Sequence, residues 1–275
     1  MTAAIMLIHG AWLTPSSLNF FRFHYEAQGH VVVVPPWPLQ DRSIADLRRS
    51  PHPELSRLTI GKIVDHYDAL IRALPEAPIL IGHSLGGLVV QMLLDRGLGA
   101  AGVAISPAPA RGILPTPRAL WAALPNLLAW WGWRRVLYLS ESRFGSDFAN
   151  TLTASEQSAA FAREVVPTPG RLYYQLALGL GSGVRFTNPD RAPLLLIAGE
   201  EDRTVEASMV LATYAKYQRA QSVTAYESFP GRSHLLIASP GWEEIADHAI
   251  NWATEQARAG AFGQAAAPIS QPIEA

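Results

Sequence analysis

The 275-residue chain contains no cysteine. That excludes disulfides, a thiolate nucleophile and any Cys-ligated metal centre, and it is compatible with a reducing cytoplasm, the expected location. Charge is sparse, with Asp, Glu, Lys and Arg making up 16% of residues and a formal net charge of −1. A balance so close to zero gives no electrostatic case for a nucleic acid or an anionic membrane as partner. No uninterrupted apolar run approaches the roughly 20 residues of a membrane span. The first apolar run ends after a few residues at His9, with no basic region before it, so no signal peptide is expected. There is no internal repeat.

What is present is concentrated in Pro78–Gly87. Ile79–Ile81 reads as a buried strand and Leu85–Asp95 as a helix. Between them stands Gly82-His83-Ser84-Leu85-Gly86, a Gly-x-Ser-x-Gly in the strand–turn–helix setting that a nucleophile elbow requires. Glycines on either side of Ser84 let strand and helix approach closely. The serine hydroxyl is then presented at the strand's carboxyl end, beside the positive end of the helix dipole. His83, inside the elbow, is a candidate for substrate contact.

Three further segments follow in a consistent order. The apolar run Ala4–Ile8 ends in His9-Gly10-Ala11-Trp12. An oxyanion formed at Ser84 needs two backbone donors, one from the residue after the serine and one from the loop after an early strand. Leu85 and Ala11 are assigned these N–H groups, with Trp12 second to Ala11 and also a candidate for substrate contact. The apolar run Pro193–Ala198 enters Gly199-Glu200-Glu201-Asp202, where any of three acids could orient a histidine. Phe229-Pro230-Gly231-Arg232-Ser233-His234 then supplies a histidine after the acid, completing the order Ser, acid, His. The other loop and helix histidines, His24, His30, His52, His66 and His248, read as solvated.

On the pieces Leu7-Ile8-His9-Gly10, Gly82–Gly87, Gly199–Asp202 and Gly231–His234, the chain resembles the α/β-hydrolase superfamily over roughly residues 3–257. It is most similar to the small bacterial lipase, esterase and cofactor-free haloperoxidase-like members. The resemblance implies a triad of Ser84, Asp202 and His234, with Glu200 and Glu201 as fallbacks for the acid, and no metal or organic cofactor. Haloalkane dehalogenases and epoxide hydrolases are set aside because they carry an aspartate where this chain has Ser84. A fourfold-glycine oxyanion motif is absent, since Gly10 is followed by Ala11.

Alternating strands (4–8, 31–35, 78–82, 101–106, 193–198, 222–228) and helices (16–28, 59–74, 85–96, 205–218, 241–258) predict an α/β fold. The expected sheet has six parallel strands flanked by helices, with the serine strand central; the family's first two strands are missing. Leu39–Leu58 is polar and reads as a loop rimming the site. Residues 113–190 do not alternate strand and helix. They read as a helical cap, with a turn at Pro169-Gly170, inserted into a core formed by 1–112 and 191–258; the tail 259–275 reads as weakly ordered. Trp121, Trp130 and Trp131 in the cap, with Trp133, form either its packing core or an aromatic wall around substrate. Asn126, Arg143 and Arg171 could face the cavity.

The expected chemistry is hydrolysis of a carboxylic ester on a small to medium apolar substrate through an acyl-enzyme. A lactone, an amide, a C–C bond or a perhydrolysis could use the same groups. A lyase or a non-catalytic ligand-binding protein on the same fold are alternatives of another class. The former often carries a cavity lysine, whereas Lys62 and Lys216 fall on predicted surface helices.

Overall fold

The computed structural model describes residues 4–265. In chain order the strands are β1 (Ile5–Ile8), β2 (Val32–Val33), β3 (Ile79–His83), β4 (Ala101–Ile105), β5 (Val136–Leu137), β6 (Thr168–Pro169), β7 (Leu194–Gly199) and β8 (Thr224–Phe229). The helices are α1 (Asn19–Ala27), α2 (Ile44–Arg49), α3 (Ile60–Arg72), α4 (Leu85–Asp95), α5 (Pro117–Leu128), α6 (Glu141–Arg143), α7 (Ala154–Glu164), α8 (Gly170–Ala177), α9 (Ala207–Tyr217) and α10 (Trp242–Ala265).

Six strands form one sheet in the order β2-β1-β3-β4-β7-β8, and every pairing is parallel. The four inner strands β1, β3, β4 and β7 are buried along their whole length and almost wholly apolar because both faces are covered, whereas the edge strand β8 is half-exposed and mixes polar with apolar residues. Met6, Ile8, Leu80, Leu194 and Leu196 face a core shared with α3, α4 and α9. Ile5, Leu7, Ile81, Val103 and Ile197 face the opposite core, shared with α1 and α10. Beside β3, α4 is buried almost all round. The chain leaves β1 for β2 on one side and returns to β3 on the other, so strand order reverses between β1 and β3. Ligands of open parallel sheets bind at such a switch point, outside the strands' carboxyl ends.

Several details depart from the sequence reading. The 31–35 strand is reduced to Val32–Val33. Leu39–Leu58 is not a loop at the site: it forms α2, capped by Ser43, and a 3-10 turn at Pro53–Arg57. It supports the insertion from the side, with Arg48 donating to the Val165 and Phe161 carbonyls at 2.7 and 2.8 Å. The insertion between β4 and β7 is not wholly helical, since β5 and β6 pair antiparallel. Pro169-Gly170 joins β6 directly to α8, with Gly170 so close to the Gly132 carbonyl that an added Cβ would lie 2.2 Å from it. The last helix runs past 258 to Ala265; of the expected tail, 266–275 lies outside the described residues. No helix among the described residues is long and apolar enough to cross a membrane.

Candidate functional site

Loops from β1, β3, β7 and β8 meet above the sheet. Ser84 sits at the β3–α4 turn with φ 55° and ψ −120°, a backbone conformation that L-residues avoid and that persists only where the surroundings enforce it. The enforcement is steric. A Cβ on Gly82 would lie 2.2 Å from the Gly86 carbonyl oxygen, and one on Gly86 would lie 2.1 Å from that of Ile8. Strand, helix and the neighbouring β1 are thus packed backbone to backbone around the serine. Trp12 (φ 68°) and Ser106 (φ 41°), at the ends of the loops flanking it, also have positive φ.

His234 Nε2 lies 2.9 Å from Ser84 Oγ, and its Nδ1–H donates to Asp202 Oδ2 at 2.6 Å. The other carboxylate oxygen, Oδ1, accepts from the backbone N–H groups of Thr204 and Val205, both at 2.8 Å. These two bonds fix the carboxylate's direction, so the histidine is held with Nδ1 protonated and Nε2 free to accept. Of the three adjacent acids, the fold brings Asp202 to the histidine. Glu200 and Glu201 are exposed on the turn, and Glu200 accepts from Ser228 instead. Phe148 lies edge-on to the His234 ring with centroids 4.4 Å apart. It comes from a π-helical turn at Phe144–Phe148 in the insertion, a type of turn enriched at functional sites.

The Ser84 N–H is occupied by the Ile105 carbonyl at 2.9 Å. Those of Leu85 and Ala11 have no acceptor among the described residues, and both residues line the cavity over Ser84. Gly10 allows this approach: a Cβ there would lie 2.8 Å from Ser84 Cβ. The loop is held from behind by His9, whose Nδ1–H donates to the Gly10 carbonyl while its Nε2 accepts from the Trp37 N–H. The His9 ring stacks on Trp37 at 4.8 Å. Burial drives the His9 pKa down to about 4, so it is neutral near pH 7.

His83 is not at the cavity. It is fully buried beneath the site, and its Nε2–H donates to the His234 carbonyl at 2.8 Å. Burial, and then the neighbouring His234, push its pKa well below the ordinary histidine value. Its role is to seat the β8 loop, which the sequence did not reveal because a histidine inside an elbow looks the same whether it faces substrate or core.

The cavity has a volume of about 350 Å³. Its floor is Ala11, Trp12, Ser84 and Leu85, and its walls come mostly from apolar side chains of the insertion, including Ala119, Ala123, Leu127, Leu172 and Leu176. Polar side chains are a minority; Asn126 and Arg143 line it together with Arg111, Asp147 and Thr204, whereas Arg171 turns away to the Trp133 carbonyl. Trp12 lines it and donates its indole N–H to the Tyr173 hydroxyl, a cavity residue not anticipated from sequence. Trp121, Trp130 and Trp131 do not line the cavity. All three are exposed, because α5 turns Ala119, Ala123, Asn126 and Leu127 to the cavity and Trp121 outward, and the Trp130–Trp133 turn lies beyond the helix end. The aromatic wall expected of them is not formed; Trp130, Trp131 and Trp133 instead pack on one another and on Tyr174, with ring centroids 5.2–6.3 Å apart, while their outer faces meet solvent.

The insertion is tied to the site by backbone bonds. The Val166 N–H donates to the Trp12 carbonyl at 2.8 Å, and the Leu235 N–H to the Phe148 carbonyl at 2.9 Å. No group of three His, Asp or Glu side chains among the described residues could hold a metal ion.

No curated protein sequence matches the chain, but solved structures do. A monoacylglycerol lipase from Paleococcus ferrophilus is 19% identical, with a TM-score of 0.65 over 92% of this chain and 94% of the lipase. Tomato methylketone synthase I is 12% identical, with a TM-score of 0.67 over 93% of this chain and 99% of the synthase. Polyneuridine aldehyde esterase is 12% identical, with a TM-score of 0.65 over 92% and 99%. At such identities the likeness concerns the fold. The sequence profile of the alpha/beta hydrolase family matches residues 5–248, nearly the whole chain, and the chain belongs to that family.

Proposed function

We propose that the protein is a serine hydrolase that cleaves carboxylic esters of small to medium apolar substrates through an acyl-enzyme. The observation that carries this reading is the unbroken chain Ser84–His234–Asp202, set opposite two backbone N–H groups that have no acceptor of their own. Ser84 Oγ attacks the carbonyl carbon as His234 Nε2 takes its proton. The negative charge that develops on the carbonyl oxygen is met by the Leu85 and Ala11 N–H groups, each contributing about 3 kcal/mol in the transition state. Asp202 stabilises the imidazolium without taking the proton. His234 then protonates the departing alcohol, and the C–O bond breaks to leave an acyl group on Ser84. Water, deprotonated by the same nitrogen, attacks the acyl carbon and releases the acid.

The apolar walls suit an acyl or ring group of modest size, within the usual range for small-molecule sites. Residues 113–190 act as the cap, which excludes water from the acyl-enzyme except for the attacking molecule. The mechanism requires no metal or organic cofactor. The test is Ser84→Ala, which should lower kcat/KM on a short-chain ester by about 10⁶-fold while the circular dichroism spectrum stays that of the wild type. Retained turnover would remove Ser84 from the reaction.

A further inference from the structure

The outer face of the insertion is built unlike the rest of the surface. Helix α5 has the sequence PRALWAALPNLL, with Arg118 its one charged residue. A helix at a protein surface ordinarily has one apolar face and one polar face. Here the inward stripe, including Ala119, Ala123 and Leu127, lines the cavity. The outward stripe, Arg118, Trp121, Pro125 and Leu128, is apolar but for the arginine, and Trp121 is 70% exposed. The turn that follows displays Trp130 at 79% exposure and also exposes Trp131 and Trp133. Trp131 is held at φ 54°, a left-handed conformation that tryptophan adopts only under constraint. Exposed apolar clusters of this extent mark interaction surfaces.

The charges of this segment are of one sign. From Pro107 to Ser140 the chain carries Arg111, Arg118, Arg134 and Arg135 and no Asp or Glu. All four arginines are exposed, and none has a carboxylate partner among the described residues. Arg134 lies over the Trp131 ring at 5.3 Å, which keeps a cation at the edge of the tryptophan cluster. The net charge of −1 averages this local excess away.

The insertion also carries the mouth of the cavity. Leu114, 84% exposed, and Leu120 and Leu178 both line the cavity and reach solvent.

We infer that the insertion is a peripheral docking surface for an anionic lipid bilayer, with Trp121 and Trp130 entering the headgroup region and the arginines pairing with lipid phosphates. Tryptophan at the apolar–polar boundary and arginine beside anionic headgroups are what an interfacial element requires. No span is involved. A docked molecule would take its substrate from the lipid phase through the Leu114–Leu178 mouth; that consequence rests on the hydrolase reading, whereas the docking itself does not.

The test is co-sedimentation of the full chain with large vesicles of phosphatidylcholine alone or mixed with phosphatidylglycerol, at low and high salt. Tryptophan emission is recorded alongside. Wild type should bind the mixed vesicles with a blue-shifted emission, bind phosphatidylcholine alone far more weakly, and be released by salt. Ser84→Ala should bind like wild type, which separates docking from catalysis. The triple variant Arg118→Glu, Arg134→Glu, Arg135→Glu should lose about tenfold or more in affinity for the mixed vesicles while keeping its hydrolysis of a water-soluble ester. Trp130→Ala should lose binding and most of the blue shift. Equal binding to both vesicle types, or binding untouched by charge reversal, would overturn the proposal. So would an absence of vesicle binding together with self-association through this face, seen by sedimentation velocity as a dimer that Trp130→Ala dissolves.

Discussion

The central sheet and the insertion above it both rely on apolar residues and use them in opposite ways. In the sheet, Ile5, Leu7, Ile81, Val103 and Ile197 are all but inaccessible to water, and each is packed between strand and helix. Their burial holds β1, β3, β4 and β7 in register, and the ends of β1, β3 and β7 lead to Ala11, Ser84 and Asp202. In the insertion, α5 has an apolar inner face that bounds a cavity and an apolar outer face that meets solvent. Much of its hydrophobicity is therefore not spent on folding this chain. One region uses apolar surface to fix the geometry of the site, and the other leaves apolar surface facing solvent.

That contrast can be broken at several points. The largest effect is expected at the fixed geometry itself. Asp202→Asn leaves Oδ1 with its two backbone donors but reverses the hydrogen-bonding sense towards His234 Nδ1, favouring the wrong tautomer. It should cost about 10⁴-fold in kcat/KM, read by steady-state kinetics, with little change in stability. If Glu201→Gln were the damaging change instead, the assignment of the acid would be wrong.

Within the sheet, Ile81→Ala should cost about 3–4 kcal/mol, from lost transfer energy plus the cavity left behind. Urea unfolding measures it. Gly86→Ala should cost about 3 kcal/mol, because the new methyl group is driven into the Ile8 carbonyl and overpacks the turn. It should also displace Ser84, so turnover falls further than folding does.

The His9 support beneath the Ala11 loop makes stability depend on pH. Its folded pKa of about 4 lies below the ordinary value near 6.5, so between these values the unfolded chain binds more protons than the folded one. Stability from this group is fully present above pH 6.5 and declines as pH falls towards 4, by about 3 kcal/mol in all. His83, whose pKa is also lowered, adds to the slope in the same direction. The slope of unfolding free energy against pH should be shallower in His9→Gln, and an unchanged slope would show that His9 is not held neutral.

The smallest effect is expected on the insertion's outer face. Trp130→Ala removes a larger side chain than Ile81→Ala, yet it should alter unfolding free energy by no more than about 0.5 kcal/mol, because the ring is already in water. A loss comparable to that of Ile81→Ala would mean the tryptophans pack into the fold, and the distinction between the two regions would fail.

The same contrast explains what could be read from the sequence. Ile79–Ile81 and Pro193–Ala198 were legible as buried parallel strands because apolar residues there run without interruption. The elbow around Ser84 was legible because only glycine fits where backbone meets backbone. The choice among Glu200, Glu201 and Asp202 was not legible from spacing, since it depends on which carboxylate the Thr204 and Val205 N–H groups capture. Nor was the side on which His83 lies, because its position in the elbow does not encode its rotamer. In the insertion, two-residue strands such as Val136–Leu137 carry no periodic signal, and the tryptophans resembled a packing cluster. Hydrophobicity alone does not distinguish a residue buried by its own chain from one left exposed on it.

The most direct test of the central claim, that Ser84 is an activated and reachable nucleophile, is intact-protein mass after exposure to a small fluorophosphonate, with Ser84→Ala alongside. A single phosphonyl adduct on the wild type, with fluoride displaced, and none on the variant is the predicted result. An unmodified wild type, or an adduct that persists in Ser84→Ala, would contradict it.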